Sequence, residues 1–168
     1  MTQKITNPFI SSTSYNCFGC APSNPIGLKL HFELQDDWLQ AQWQPSKEYE
    51  GWENVLHGGI QATLLDEIAS WIVFVKLKTA GVTSRLEMKF HHPVAISDET
   101  ITIRARLTKM KRNIAVIEAM LMNRGGIICS SAVFHYFTFP PEKATDKLRI
   151  SDDKAILNNP EREDATSR

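Results

Sequence analysis

The segment between Gly59 and Gly81 constrains this chain more than any other. No proline or glycine interrupts it, and apolar residues such as Ile60, Leu64, Leu65, Ile68, Trp71, Ile72 and Phe74 fall on nearly every side of a helical projection. The run is too long for a strand, and a helix that is apolar all round has to be enclosed by other elements. Gly81 is expected to close the helix. Two acids interrupt the apolar run, Asp66 and Glu67. One of them is expected to face solvent or a charge across an interface.

The rest of the chain supplies strands to enclose that helix. In 27–34 Leu28, Leu30, Phe32 and Leu34 alternate with polar residues, the period of a half-buried strand. Asp36-Asp37 turns the chain, and 38–44 reads as the returning strand. Residues 45–59 form a polar, glycine-bearing loop. After the helix, 83–92, 99–110, 114–123 and 127–139 each read as strands, with Arg124-Gly125-Gly126 as a tight turn and Pro140-Pro141 as a stop. One helix with consecutive antiparallel strands is an α+β architecture. The sheet must curl around the helix, and its edges are naturally protected by a second copy. Residues 1–16 read as an irregular arm, and 141–168 as a charged, partly ordered tail in which "DDKAIL" is a candidate short helix.

Composition narrows the function classes. Lys and Arg number 19, as do Asp and Glu, so the chain carries no net charge to draw it to nucleic acid or an anionic membrane. No apolar run reaches membrane-spanning length, and the first residues lack a signal-peptide core. Three cysteines make no disulfide framework. A cytoplasmic location is the expectation. Cys17 and Cys20 form a Cys-x-x-Cys pair, but Pro22, Asn24, Pro25 and Gly27 follow as turn residues, unlike a redox motif that opens a helix. As half a zinc site the pair lacks two ligands, and no second close pair exists; His31 is isolated. His91 and His92 at a strand end, and His135 on the last strand, read as surface residues. No metal and no cofactor are expected.

The order of elements, with His57-Gly58-Gly59 opening the helix and Asp66 nine residues after the histidine, resembles the hotdog-fold acyl-CoA thioesterases. The likeness is greatest to the phenylacetyl-CoA and 4-hydroxybenzoyl-CoA thioesterase branch. It includes "NPIGLKLHF", Tyr49-x-Gly51 and "VTSRLEMKFHHPV", and covers about residues 17–139, giving a domain over 17–140. The resemblance implies a curved antiparallel sheet wrapped around one long buried helix, in a dimer of hotdogs or a tetramer. It also implies hydrolysis of an acyl-CoA thioester, with coenzyme A as part of the substrate.

Backbone N–H groups at a helix N-terminus are unpaired and sit at the positive end of the helix dipole, and glycine lets a ligand come close. Gly59, together with Gly58, is therefore the candidate oxyanion donor, as the resemblance also implies. His57 would fix the loop or touch the carbonyl or leaving sulfur. Asp66 lies about two and a half turns further on and cannot reach that end of its own helix. The resemblance implies that it serves the partner's site, as general base or as nucleophile. Glu67 is the weaker alternative. By the same likeness Thr83 would hold Asp66 or orient water, with Ser84 as its alternate. Relatives that carry Asn or Gln six or seven residues before the histidine find Glu50 and Gly51 here, with Asn54 closer in. Lys109, Lys111 and Arg112 are candidates for the CoA phosphates, though a solvated turn is the plainer reading. Trp71 and Phe74 read as helix core before acyl pocket, while Tyr49 and Trp52 lie in the loop that could shape one. The competing class is a hotdog module that binds acyl-CoA without turnover and has no need of Asp66.

Overall fold

The computed structural model describes residues 2–140 and 143–144. The expected tail and its short helix lie almost wholly outside them. One long helix, α1 (Gly58–Leu77), packs against a curved seven-stranded antiparallel sheet. The strands are β1 (Thr2–Lys4), β2 (Glu33–Gln35), β3 (Trp38–Trp43), β4 (Gly81–Phe90), β5 (Ile101–Lys111), β6 (Ile114–Met122) and β7 (Ile128–Thr138), in the spatial order β1-β2-β3-β5-β6-β7-β4. A 3-10 turn at Lys47–Tyr49 precedes the helix.

The core follows the alternation in the sequence. Leu64, Leu65, Ile68, Ala69 and Ile72 of α1 are fully buried against Ile101, Ile103, Ile117, Leu121 and Phe134 of the sheet. Burying each large aliphatic side chain contributes roughly 1.5–3 kcal/mol, so the helix is held by its packing rather than by local propensity.

Three expectations change. The arm is not irregular throughout, because Thr2–Lys4 adds a first strand antiparallel to β2. The predicted strand over 27–34 survives only at Glu33–Gln35. Lys29 has a φ of 56°, which breaks an extended run, and Leu28 and Leu30 instead donate their N–H groups to the carbonyls of Phe18 and Gly19. The alternation there was real as burial: Leu28, Leu30 and Phe32 are inside. Finally, Gly81 does not close the helix. Lys78 caps it in the left-handed region, at φ 54°, and Gly81 begins β4.

The two edges of the sheet differ. β1 is three residues long, whereas β4 runs for ten with its outer side unpaired. By register, Leu86 stands opposite Phe134, Met88 opposite Ala132 and Phe90 opposite Ser130. These partners are buried, yet Leu86 is 40% and Phe90 58% exposed. The helix-facing side of β4 is thus apolar and extends beyond what α1 covers.

Candidate active site

Asp66 sits midway along α1 on the side that faces β4 and β7. Its Oδ1 accepts two hydrogen bonds, from Thr83 Oγ1 at 2.7 Å and from Tyr136 Oη at 2.6 Å. The same phenol lies 2.8 Å from the Asp66 carbonyl oxygen. Among the described residues Oδ2 has no partner, so the carboxylate is oriented through one oxygen and presents the other. Tyr136 is buried, and burial first, then the Asp66 charge, raises its phenol far above the ordinary range. It therefore stays protonated and acts as a donor.

Thr83 and Ser84 are separated by backbone geometry. Thr83 pairs with Tyr136 across β4 and β7, and a β-bulge falls between Thr83 and Arg85. The bulge makes Ser84 the extra residue, and its Oγ donates to the His135 carbonyl at 2.8 Å. Thr83, not Ser84, meets the acid.

His57 is the N-cap of α1. Its Nδ1 accepts the N–H of Gly59 at 2.8 Å, and its own N–H is held by the Tyr49 carbonyl at 3.0 Å. The Gly59 amide, first choice for the oxyanion donor, is therefore engaged in the cap. The Gly58 amide has no partner among the described residues and is the free donor at the helix's positive end. Gly58 lies beside the edge strand: a Cβ there would meet the Phe90 ring at 3.4 Å. Gly58 and Asp66 are eight steps apart on the helix, about 12 Å along the axis.

The remaining candidates stand apart. Asn54, at φ 56°, is a turn residue bonded through its amide to Ser97 (3.3 Å and 3.0 Å), and Glu50 accepts its backbone N–H. Lys109, Lys111 and Arg112 are exposed at the β5–β6 hairpin. Thr83, Tyr136, Ala115 and Met110 form one row across four strands. At about 4.8 Å per strand, the hairpin lies roughly 14 Å from Thr83, and Lys109 and Lys111 flank Met110 on the opposite face of the sheet. Within one chain they do not join Asp66. Trp71 and Phe74 are packed under Phe9, at ring separations of 6.3 Å and 5.3 Å, as helix core. Trp52 is 86% exposed, while Tyr49 stacks on Trp43 at 5.3 Å. His91 bonds Ser131 Oγ at 2.8 Å.

Glu67 is half-buried. About 100° round the helix from Asp66, it turns to the Cys17–Cys20 loop, where Trp71 Nε1 donates to Oε1 at 3.0 Å. Tyr136 is the site residue that sequence reasoning missed. Its signal was position: on β7 it continues the inward series Ala132, Phe134, Tyr136, and a hydroxyl there has to find a partner on the helix.

One long helix enclosed by a curved antiparallel sheet, with an amide-bearing N-terminus and an acid at mid-length, defines the hotdog fold. Residues 53–130, which hold the His57–Gly59 turn, α1 and β4, match the family model of the thioesterase superfamily. No curated protein matches the chain. Among solved structures, a thioesterase superfamily protein is 20% identical with a TM-score of 0.66, covering 72% of this chain and 59% of that one. The chain thus spans less than two thirds of that relative's length. A thioesterase from Haemophilus influenzae is 20% identical, TM-score 0.63, over 73% of this chain and 86% of its own. A Streptococcus mutans protein bound to acetyl-CoA is 16% identical, TM-score 0.62, over 76% and 94%. At such identities the likeness is one of fold. Among the described residues no helix is long and apolar enough to cross a membrane.

Proposed function

We propose that the chain is a thioesterase-superfamily hydrolase that cleaves an acyl-CoA thioester at a site shared between two copies. The observation that carries this is the Asp66 carboxylate, held through Oδ1 by Thr83 and Tyr136 with Oδ2 left to act. In this reading Oδ2 takes a proton from water as the water oxygen attacks the thioester carbon, or it attacks that carbon itself to form a mixed anhydride. The charge that develops on the carbonyl oxygen is met by the Gly58 amide of the other subunit, at the positive end of α1. Collapse of the adduct expels the CoA thiolate, which on the first route leaves as the thiol with the proton that Oδ2 took; on the second route water then cleaves the anhydride, releasing the acid and restoring the Asp66 carboxylate. His57 holds the turn by binding the Gly59 amide. Lys109, Lys111 and Arg112 are candidate contacts for the CoA phosphates of a site to which the partner contributes.

The open edge of β4 supports the shared site. The edge is long, unpaired and apolar through Leu86 and Phe90, and it runs between the Thr83–Asp66 bond and Gly58. Doubling the sheet there would satisfy the open strand and bring the two half-sites together.

The test is thiol release over a panel of acyl-CoAs, with arylacyl thioesters first because of the sequence likeness to the phenylacetyl-CoA and 4-hydroxybenzoyl-CoA branch. Asp66→Asn should lower kcat by about 10²–10⁴, the range lost with a general base. Undiminished turnover in that variant would overturn the mechanism. A parent that binds CoA thioesters and never turns them over would instead support the binding-module reading.

A further inference from the structure

Outside the Asp66 site, one group of ligating side chains converges among the described residues: Cys17, Cys20 and Glu67, whose ligand atoms all lie within 4.8 Å of one another. Cys17 Sγ is 3.4 Å and 3.5 Å from the two Glu67 carboxylate oxygens, and Cys20 Sγ is 3.2 Å from Cys17 Sγ. Sequence spacing could offer only the cysteine pair. The fold brings in the third ligand, because Glu67 leaves α1 on the side away from Asp66.

We propose that this cluster binds a thiophilic divalent cation of the Zn²⁺ class. A tetrahedral zinc ion at its usual bond lengths to sulfur and oxygen needs ligand separations of roughly 3.6–3.8 Å. The Cys17–Glu67 separations of 3.4 Å and 3.5 Å fall slightly short of this and the 3.2 Å between the sulfurs by roughly half an ångström, so the sulfurs part to admit the ion. Two sulfurs and one carboxylate select zinc-like ions over magnesium or calcium.

Polar groups gather round the two sulfurs. The Tyr15 hydroxyl accepts a bond from Asn7 Nδ2 at 3.1 Å and lies 2.7 Å from Cys20 Sγ. Trp71 Nε1 reaches Cys20 Sγ at 3.4 Å as well as the Glu67 carboxylate. The backbone N–H groups of Gly19 and Cys20 are directed at Cys17. A thiol sulfur is a weak acceptor, whereas a metal-bound thiolate uses such donors. Among the described residues no Lys, Arg or His pairs with Glu67. A cation is the missing complement to three acidic ligands. Gly19 lies close against this ligand: a Cβ there would overlap the end of the Glu67 side chain, which would have to swing aside. The ion would fasten the 17–20 loop to α1 one residue from Asp66, with a fourth position left for water.

The experiment uses the full chain, reduced, stripped with a chelator and titrated with Co²⁺ without oxygen. The expected result is thiolate-to-cobalt charge-transfer absorption saturating at one ion per chain and displaced by Zn²⁺. Cys17→Ser and Cys20→Ser abolish the band, and Cys129→Ser leaves it unchanged. Glu67→Gln weakens affinity by at least the roughly 10–100-fold that even an outer hydrogen-bonding partner of a metal ligand commands. Absence of the band in excess Co²⁺ overturns the proposal. So does a band that survives both cysteine variants, a Glu67→Gln protein that binds like the parent, or a reduced chain that closes a Cys17–Cys20 disulfide with an oxidised dithiol and takes up no metal. If a cysteine variant fails to fold, the parent's stoichiometry and Glu67→Gln decide. No thioester enters the assay, so its outcome is separate from the hydrolase reading.

Discussion

The Tyr136 hydroxyl meets Asp66 twice, at the carboxylate Oδ1 (2.6 Å) and at the backbone carbonyl (2.8 Å), so a residue of the last strand locks both ends of the acid. With Thr83 on the same Oδ1, it leaves Oδ2 as the oxygen without a partner among the described residues. Tyr136→Phe keeps the ring's packing against Phe134 and removes only the hydroxyl. Its expected effect is a kcat lowered by about tenfold to a hundredfold with KM little changed, because orientation rather than substrate binding is lost. Removing one of the two bonds to this part-buried carboxylate oxygen costs about 1 kcal/mol. Steady-state kinetics and denaturant unfolding of the two proteins measure both effects.

The same phenol makes a prediction about alkaline stability. Its folded-state pKa lies above the ordinary value of 10.0, through burial first and the Asp66 charge second. A group whose folded pKa is raised contributes stability that is fully present below the unfolded pKa and is lost as pH rises through the folded one. Unfolding free energy should therefore fall above pH 10, by about 1.4 kcal/mol per pH unit for this one proton. Tyr136→Phe should show a shallower decline by that slope. Equal slopes for parent and variant between pH 10 and 11.5 (roughly the accessible window) would count against it.

Thr83 and Ser84 offer a contrast set by one bulge. Thr83→Ala removes a donor to Asp66 Oδ1, and Ser84→Ala removes a bond to a backbone carbonyl on the far side of the strand. The first should lower kcat by about tenfold or more, and the second should change kcat by less than about twofold. Parallel thiol-release rates on one acyl-CoA settle the comparison, and a Ser84→Ala defect equal to that of Thr83→Ala would refute the assignment.

Much of this arrangement was legible in the chain because it rests on periodicity. The apolar run after Gly59 could only be an enclosed helix, and alternation placed β3 and β5 to β7 nearly to the residue. The Asp66–Thr83 pairing followed from family likeness at the right spacing. What escaped depended on backbone conformation or on contacts between distant segments. The positive φ at Lys29 turned an alternating segment into a buried coil, and Lys78 took the left-handed cap that a glycine was expected to supply. Thr2–Lys4 became a strand only because β2 offered an edge. Tyr136 and Glu67 lie 70 and 50 residues from the groups they meet, and no local pattern joins such partners.

The proposed shared site makes the sharpest prediction. Asp66→Asn removes the acid, and Gly58→Pro removes the helix-end amide at the first helical position, where proline is tolerated. Each homodimer is inactive in both of its sites. A mixed dimer has one site in which the Asp66→Asn half meets the Gly58→Pro half, dead twice over, and one site built from the two intact halves. Random exchange of equal amounts makes half the dimers mixed, so activity should return to about a quarter of the parent's. Unmixed controls, dialysed from the same mild denaturant, should show no recovery. A mixture that exchanges subunits, verified by mass, and stays inactive would place the acid and the amide of each site on the same chain.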